Sequence, residues 1–272
     1  MTWNLNYDLL GLAYGLVVGV SLGLTGGGGS IFAVPILIYG LGVPVGTSIG
    51  LSLAAVGVTA GFGAALRLRA KEVDVRDGLV FAVAGMILAP AGAWLGSKLP
   101  NPLLLSALAV LMAIVGTRMW LGKAGATIEP GPCVTRPGVG RGLGCYTRLV
   151  AAGSAAGLMS GLFGVGGGFI IVPALLYVTG MSIHRSVATS LLVIFLISLS
   201  GVAAHILHGQ RFPMPVTAIF IAGGFAGMFA GIALRSRLPA LMLQKVFAAA
   251  MWIVAAYMLA RNLPGLSQDL KS

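Results

Sequence analysis

The feature that most restricts the fold of this chain is a series of long apolar segments that contain almost no charge. Charged residues make up 8% of the 272 positions, against about 25% in an ordinary soluble domain. Segments of about 20 apolar residues can cross the roughly 30 Å of bilayer hydrocarbon. The sequence therefore predicts an all-α, polytopic membrane protein with eight to ten membrane segments. The ten apolar segments run approximately over 7–24, 30–41, 45–66, 78–95, 103–120, 148–163, 168–179, 186–207, 216–234 and 241–259.

The ten segments form two groups of five that repeat each other. At a shift of 138 residues, Gly15 to Tyr39 aligns with Gly153 to Tyr177, and 11 of 25 positions are identical. The matches include glycines and a proline, which an apolar chain does not share by composition alone. A stretch rich in Gly, Pro and Arg separates the two groups. We therefore predict a first transmembrane repeat over 1–121, a polar linker loop over 122–147 and a second transmembrane repeat over 148–272.

Each repeat contains a run of glycines, "TGGGGS" at residues 25–30 and "GVGGG" at 164–168. A cloned linker would have no counterpart in the other half, and each glycine in a helix costs around 1 kcal/mol. Close helix packing explains the glycines spaced four apart before each run, but not the runs themselves. Irregular backbone at membrane depth is tolerated where it is buried in protein or lines a watery cavity. We therefore expect each run to break a helix, with new helices opening at Ser30 and Gly168.

The two new helix starts predict an anion-binding site. The first N–H groups of a helix have no partner within it and carry the positive end of the helix dipole. Two such ends would attract an anion, and glycine lets it approach the backbone closely. Hydroxyl side chains could donate to oxyanion oxygens, although a bond to the backbone or to another helix is the simpler role of each. The candidate substrate-binding residues are Thr25, Gly26, Gly27, Gly28, Gly29, Ser30, Gly164, Gly166, Gly167, Gly168, Thr189 and Ser190.

The length of each glycine-containing unit predicts a helix hairpin. Residues 7–41 and 148–179 are too long for one crossing of about 20 residues. With hairpins, 13 of the 17 Lys and Arg residues fall on one side of the membrane and 4 on the other, whereas single spans give 12 and 5. The choice therefore depends on segment length and flanking charges. Because cytoplasmic loops carry the excess of Lys and Arg, we predict an inverted five-plus-five repeat with both termini outside the cytoplasm.

The distribution of ionisable residues favours an anion over a cation or a catalytic role. The net charge of +11 would suggest a nucleic-acid partner in a soluble protein, but here it indicates topology. None of the six acidic residues lies inside an apolar segment away from its ends, where a cation pathway would need one. We find no nucleophile and base pair and no metal-ligand cluster. We therefore expect no enzyme, no metal and no cofactor, and we interpret Cys133 and Cys145 as reduced thiols.

Four basic residues near helix ends allow a second interpretation. His205 and His208 lie three apart on one helix face, and interfacial anchoring is favoured over a gate or proton carrier. Arg67 and Arg69 end the third segment and mark topology. Their alternative role is to attract anions to the cytoplasmic opening of the transport path.

The doubled segments "GLTGGGGSIFAVP" and "GLFGVGGGFIIVP", the polar loop between them and "ATSLL" at residues 188–192 resemble the sulfite exporter TauE/SafE family over nearly the whole chain. The resemblance implies a multi-pass inner-membrane protein that moves small sulfur-containing anions such as sulfite or sulfonates, usually outward. We accordingly expect a secondary exporter that works by alternating access. An anion channel and a membrane enzyme or assembly subunit are the alternatives. The expected partners are the anion and the lipid bilayer, with a homodimer left open and no nucleic acid.

The helix-break hypothesis predicts which glycines tolerate a side chain. Gly28→Leu and Gly167→Leu should abolish anion transport while the protein still inserts, because the side chain would cover the exposed N–H groups. Gly11→Ala should be mild, since Gly11 only packs helices together. Transport assays on the membrane-inserted variants test this, and equal transport in all three would contradict a site at the breaks.

Overall fold

The computed structural model describes residues 5–121, 143–207, 209–210, 213–235 and 240–269, and these are almost entirely helical. Most of the polar linker, with Cys133, lies outside the described residues, so the predicted bounds 1–121, 122–147 and 148–272 stay a prediction. The helices are α1 (Leu5–Thr25), α2 (Gly28–Gly40), α3 (Val45–Arg69), α4 (Val75–Lys98), α5 (Asn101–Leu121), α6 (Leu143–Phe163), α7 (Gly168–Thr179), α8 (Ile183–Leu207), α9 (Met214–Arg235) and α10 (Ala240–Asp269).

Seven helices of the described residues are long and apolar enough to cross a membrane, namely α1, α3, α4, α5, α8, α9 and α10. This confirms the all-α, polytopic membrane fold. The helix α6 is as long as α1, but it is rich in Gly, Ala and Ser and carries Arg148, which lowers its hydropathy. The helices α2 and α7 are apolar but short.

The helix α2 folds back along α1, so the first glycine run lies in a hairpin. Gly29 packs against Ser21, and Gly40 packs against the ring of Tyr14. The residue numbers rise along α2 as they fall along α1, which means that the two segments are antiparallel. The helix α2 begins with a 3₁₀ turn at Gly28, two residues before the expected start, because the Ser30 N–H already donates to the Gly27 carbonyl. The helix α7 begins at Gly168, as predicted.

The first helix of each half packs against the fourth helix of the other half through its spaced glycines. The helices run parallel and close together, since a side chain at these glycines would collide with the facing backbone. In α1 and α9 the facing pairs are Gly15 with Phe220, Gly19 with Gly224 and Gly23 with Met228. In α6 and α4 they are Gly153 with Phe81, Gly157 with Gly85 and Gly161 with Ala89.

Three further helix pairs fix the direction of each half. The helix α3 runs parallel to α9 and antiparallel to α8, while α4 runs parallel to α8. Between α3 and α9 the contacts are Thr59 with Gly224 and Gly63 with Met228. Between α3 and α8 they are Gly57 with Ser198 and Gly61 with Phe195, and between α4 and α8 they are Gly78 with Thr189 and Gly85 with Ile197. Hence α1, α3 and α9 point one way, and α4, α6 and α8 point the other way. Because α6, α8 and α9 correspond to α1, α3 and α4, the two halves are inverted.

The last helix places both ends of the described chain on one side. The helix α10 is antiparallel to α5, because Gly116 lies beside Trp252 and the Gln244 amide donates to the Met119 carbonyl. The helix α5 reverses the direction of α4 after a short connection. The beginning of α1 and the end of α10 therefore share one side, and the end of α5 and the beginning of α6 lie on the other.

The interpretation of the cysteines as reduced thiols is wrong for Cys145, which is disulfide-bonded in the first turn of α6. Cys133 lies outside the described residues. Sequence spacing excluded a metal site but carried no information on this bond. Disulfides persist in oxidising compartments, so the bond favours an exterior position for the connection between α5 and α6. The Lys and Arg bias favours the cytoplasm for the same connection.

Reporter fusions decide the orientation. We expect a C-terminal alkaline phosphatase fusion to be active and a C-terminal fluorescent-protein fusion to be dark. The loops on the side opposite the C-terminus carry the excess of Lys and Arg, which is typical of the cytoplasmic side. The reverse pattern, with a fluorescent C-terminus, would contradict the predicted orientation and agree with the disulfide. A reporter inserted in the 122–142 connection is the internal control, since it must give the opposite result.

Candidate functional site

The two glycine runs meet where the halves join. A Cβ atom on Gly27 would lie 2.8 Å from the Gly168 Cα, and a Cβ atom on Gly168 would lie 2.5 Å from the Gly27 Cα. Both residues are buried, and they stand at the N-terminal ends of α2 and α7. The breaks are therefore shielded by protein, as irregular backbone at membrane depth requires, and the two helix starts are apposed.

A matched pair of serine hydrogen bonds ties each break to the other half. The Ser190 hydroxyl donates to the Gly26 carbonyl at 2.6 Å, and the Ser52 hydroxyl donates to the Gly164 carbonyl at 2.7 Å. The two bonds are equivalent at the 138-residue shift, and both serines are fully buried. Ser190 also lies 2.8 Å from the Val187 carbonyl. Each half therefore satisfies a backbone acceptor in the break of its counterpart.

Gly26 and Gly164 occupy equivalent backbone conformations that favour glycine. Their φ angles are +72° and +70°, in the left-handed region where helices commonly end. Their N–H groups still donate to the preceding turn, to the Leu22 carbonyl at 2.8 Å and the Ser160 carbonyl at 2.9 Å. A residue with a side chain would be strained at either position, so these two glycines end α1 and α6.

The hydroxyls next to the first break bond to local backbone. Thr25 Oγ1 donates to the Ser21 carbonyl at 2.7 Å and accepts from the Gly29 N–H at 3.1 Å. Ser30 Oγ donates to the Gly27 carbonyl at 2.7 Å. In this conformation these hydroxyls therefore have the simpler role expected from the sequence, which is a hydrogen bond to the backbone. Their hydrogens stabilise the break and do not point toward a ligand.

The N–H groups at the helix starts are the unused donors of the site. No hydrogen bond in the described ranges uses the N–H of Gly27, Gly28, Gly166 or Gly167. The N-cap residues of α2 and α7 are Gly27 and Gly167, which have no side chain to cap the helix, although Thr25 Oγ1 accepts from the Gly29 N–H in the first turn of α2. Because a buried N–H without an acceptor is costly, the buried groups at Gly27, Gly166 and Gly167 favour a bound acceptor such as an anion.

Thr189 is the predicted site residue that contacts a different element. Its hydroxyl accepts from the Asp74 N–H at 3.0 Å, at the start of α4. The neighbouring Asp77 is fully buried, and its N–H donates to Asp74 Oδ1 at 3.2 Å. Sequence reasoning placed Asp77 at a segment end and gave it no role. It also left Ser52 outside the candidate set, although Ser52 aligns with Ser190 in the repeat.

A cavity of about 180 Å³ adjoins the second break. Its lining includes Gly46, Ile49, Gly161, His205 and Gln210. Ile49 also contacts the break, since a Cβ atom on Gly164 would lie 2.7 Å from the Ile49 Cα. His205 is only 5% exposed, so it does not serve as an interfacial anchor. His208, its companion in the sequence, lies outside the described residues.

Removing either cross-half serine hydroxyl should destabilise the protein. Ser52→Ala or Ser190→Ala leaves a buried carbonyl without its donor, which costs about 1–3 kcal/mol. We expect the thermal unfolding midpoint in detergent to fall by several degrees for each. Thr147→Ala is the control, because Thr147 also bonds to a backbone carbonyl but is exposed to solvent. Midpoints that fall no further for the serines than for Thr147 would contradict the bracing role.

Comparison with known proteins agrees with this architecture. The family model described as Sulfite exporter TauE/SafE matches residues 11–258. A "Probable membrane transporter protein" of Xylella fastidiosa (strain 9a5c) is 35% identical over 256 residues, covering 91% of this chain and 93% of that protein. The "Probable membrane transporter protein YdhB" of Bacillus subtilis (strain 168) is 29% identical over 240 residues, covering 84% and 90%. With an inverted, glycine-broken helical fold and a family match along most of its length, this chain belongs to the sulfite exporter TauE/SafE family of membrane transporters.

Proposed function

We propose that this chain is a secondary transporter that exports small sulfur-containing anions, such as sulfite or sulfonates, across the inner membrane. The observation that carries the proposal is the contact between the two helix starts at Gly27 and Gly168, with unused N–H donors on both sides among the described residues. Two positive dipole ends in a buried setting favour an anion. The family membership and the names of the relatives support membrane transport as the class.

The surroundings of the breaks support an anion as cargo. The side chains in contact with the break glycines are apolar or carry hydroxyls, and they include Val187, Ile194, Val56 and Ser198. Backbone N–H groups that are held in such a low-polarity setting attract charge more strongly than the same groups in water. An oxyanion could therefore be held by the main chain alone, without a positively charged side chain.

The close contact of the breaks supports alternating access. The backbones of Gly27 and Gly168 leave no room for an anion between them in this conformation, so the halves must part for an ion to bind or pass. The cavity beside Gly161 and Ile49 gives the second break an approach from the side of the chain termini. In an inverted repeat, the equivalent residues Gly23 and Val187 would open the opposite approach.

The membrane potential supports export as the direction. With a negative cytoplasm, each anionic charge that leaves is favoured by about 2.3 kcal/mol per 100 mV. A monoanion would gain more than tenfold in concentration ratio at about 150 mV without coupling to another ion. A channel would share this driving force, so the direction alone does not separate the two mechanisms.

Counterflow in proteoliposomes tests the proposal. We expect labelled sulfite, sulfoacetate, thiosulfate or sulfate to accumulate transiently when the vesicles are loaded with the same unlabelled anion, because a carrier exchanges one anion for another. A channel would only dissipate the gradient, and an enzyme would change the anion chemically. Absence of both binding and movement for all four anions would overturn the proposal. Gly168→Ala, which forces the two breaks apart, is the matched loss-of-function variant, and Gly11→Ala is its control.

A further inference from the structure

We propose that the side chains of Ser160 and Ser198 bind the transported anion at the second break. This inference rests on the proposed function, because it names the side chains that would hold the same class of anion. Ser160 lies on α6 and Ser198 on α8, and their exposed fractions are 0% and 1%. Neither hydroxyl has a hydrogen-bond partner among the described residues. Because a buried hydroxyl without a partner is costly, both favour a ligand that accepts a hydrogen bond.

Both serines lie against the glycines that precede α7. A Cβ atom on Gly166 would lie 3.7 Å from Ser198 Oγ, and a Cβ atom on Gly167 would lie 3.5 Å from the Ser160 Cβ. These two glycines are buried, and no hydrogen bond in the described ranges uses their N–H groups. The unused hydroxyls and the unused N–H groups are therefore gathered at two consecutive residues of the second break.

The face of α8 that carries Ser198 points toward the second break. Ile194 lies one turn earlier on the same face, and a Cβ atom on Gly166 would lie 3.3 Å from its Cγ2. On the opposite side, Gly57 of α3 leaves room for the serine, since a Cβ atom on Gly57 would lie 2.8 Å from the Ser198 Cβ. The hydroxyl of Ser198 is thus held between α3 and the break.

The free state of these hydroxyls differs from the usual arrangement in an apolar helix. Hydroxyl side chains inside helices commonly donate to the carbonyl of the preceding turn. Thr59 donates to the Ala55 carbonyl at 2.7 Å, and Thr179 bonds to its own preceding turn at 2.6 Å. In the described structure Ser160 and Ser198 make no such bond. Their hydroxyls are therefore available to a ligand without breaking a bond within the protein.

The first break has no equivalent pair of available hydroxyls among the described residues. At the 138-residue shift, Ser160 corresponds to Leu22 and Ser198 corresponds to Ala60, and both of these residues are apolar and buried. The hydroxyls next to the first break already donate to local carbonyls. The second break thus offers side-chain and main-chain donors, whereas the first offers main-chain donors. We infer that the second half contributes more of the anion's hydrogen bonds.

The set of donors fits a sulfur oxyanion. Sulfite and the sulfonate group each present three oxygens that share negative charge and accept hydrogen bonds. A serine hydroxyl can rotate its hydrogen toward such an oxygen, while a backbone N–H has a fixed direction. The nearest side chains around Gly166 and Gly167 carry no charge. Because uncharged donors bind an anion less strongly than an ion pair does, this site suits a carrier that must release its cargo.

Binding of sulfite and sulfoacetate to the purified full-length protein tests this inference. We expect Ser160→Ala and Ser198→Ala each to lower the affinity about tenfold or more, because each removes a hydrogen bond to a charged group. The unfolding midpoint without anion should stay the same or rise, since neither hydroxyl has a partner in the protein to lose. Ser106→Ala on α5 is the matched control. Its hydroxyl is also buried without a partner, but it is not among the nearest contacts of the break glycines.

The two readouts separate a binding role from a structural one. Wild-type affinity in both variants would overturn the inference, while counterflow by the wild-type protein would leave the proposed function standing. A midpoint without anion that falls as far as in Ser52→Ala would show a structural role and would also overturn the inference. A wild-type protein that neither binds nor moves sulfite, sulfoacetate, thiosulfate or sulfate would overturn the proposed function as well.

Discussion

The structure depends on satisfying the backbone where two helices break inside the apolar part of the protein. A carbonyl freed by such a break has no water to bond with in hydrocarbon, and leaving it unpaired costs several kcal/mol. Ser52 and Ser190 remove this cost by donating to Gly164 and Gly26 across the boundary between the halves. Since each break is completed by the opposite half, the two hairpins are held in register. Once these carbonyls are paired, the first N–H groups at the starts of α2 and α7 are backbone donors of the breaks that have no acceptor within the described residues.

The sequence predicted the parts of this fold that follow from length and repetition. The 138-residue shift indicated two equivalent halves, and the excess length of 7–41 and 148–179 indicated hairpins with inverted orientation. The hairpins follow from bilayer thickness, because each segment is too long for one crossing. The sequence could not show that Ser190 and Thr189 have different roles. These adjacent residues of α8 bond to different neighbours, Ser190 to Gly26 and Thr189 to Asp74. Those neighbours are fixed by helix packing and not by any local pattern.

The two halves depart from symmetry at the breaks and at the turns near them. The first run has Gly27 where the second has the buried Val165, and it is Gly27 that contacts the backbone of Gly168. An inverted repeat needs the two approaches to the breaks to be similar in shape, but they need not be similar in chemistry. An ion pair of Arg67 with Glu72 stands at one turn and His205 with Gln210 at its equivalent. The two turns therefore differ in charge although their backbones correspond.

We propose that the apposed helix starts hold the transported anion by their N–H groups. An experimental structure of the protein in selenate, with anomalous scattering from selenium, tests it directly. We predict a peak whose oxygens lie about 2.7–3.2 Å from backbone nitrogens among Gly27, Gly28, Gly166 and Gly167, with the contact between Gly27 and Gly168 opened. Selenium density confined to the protein surface, with the two breaks free of ligand at saturating selenate, would contradict it.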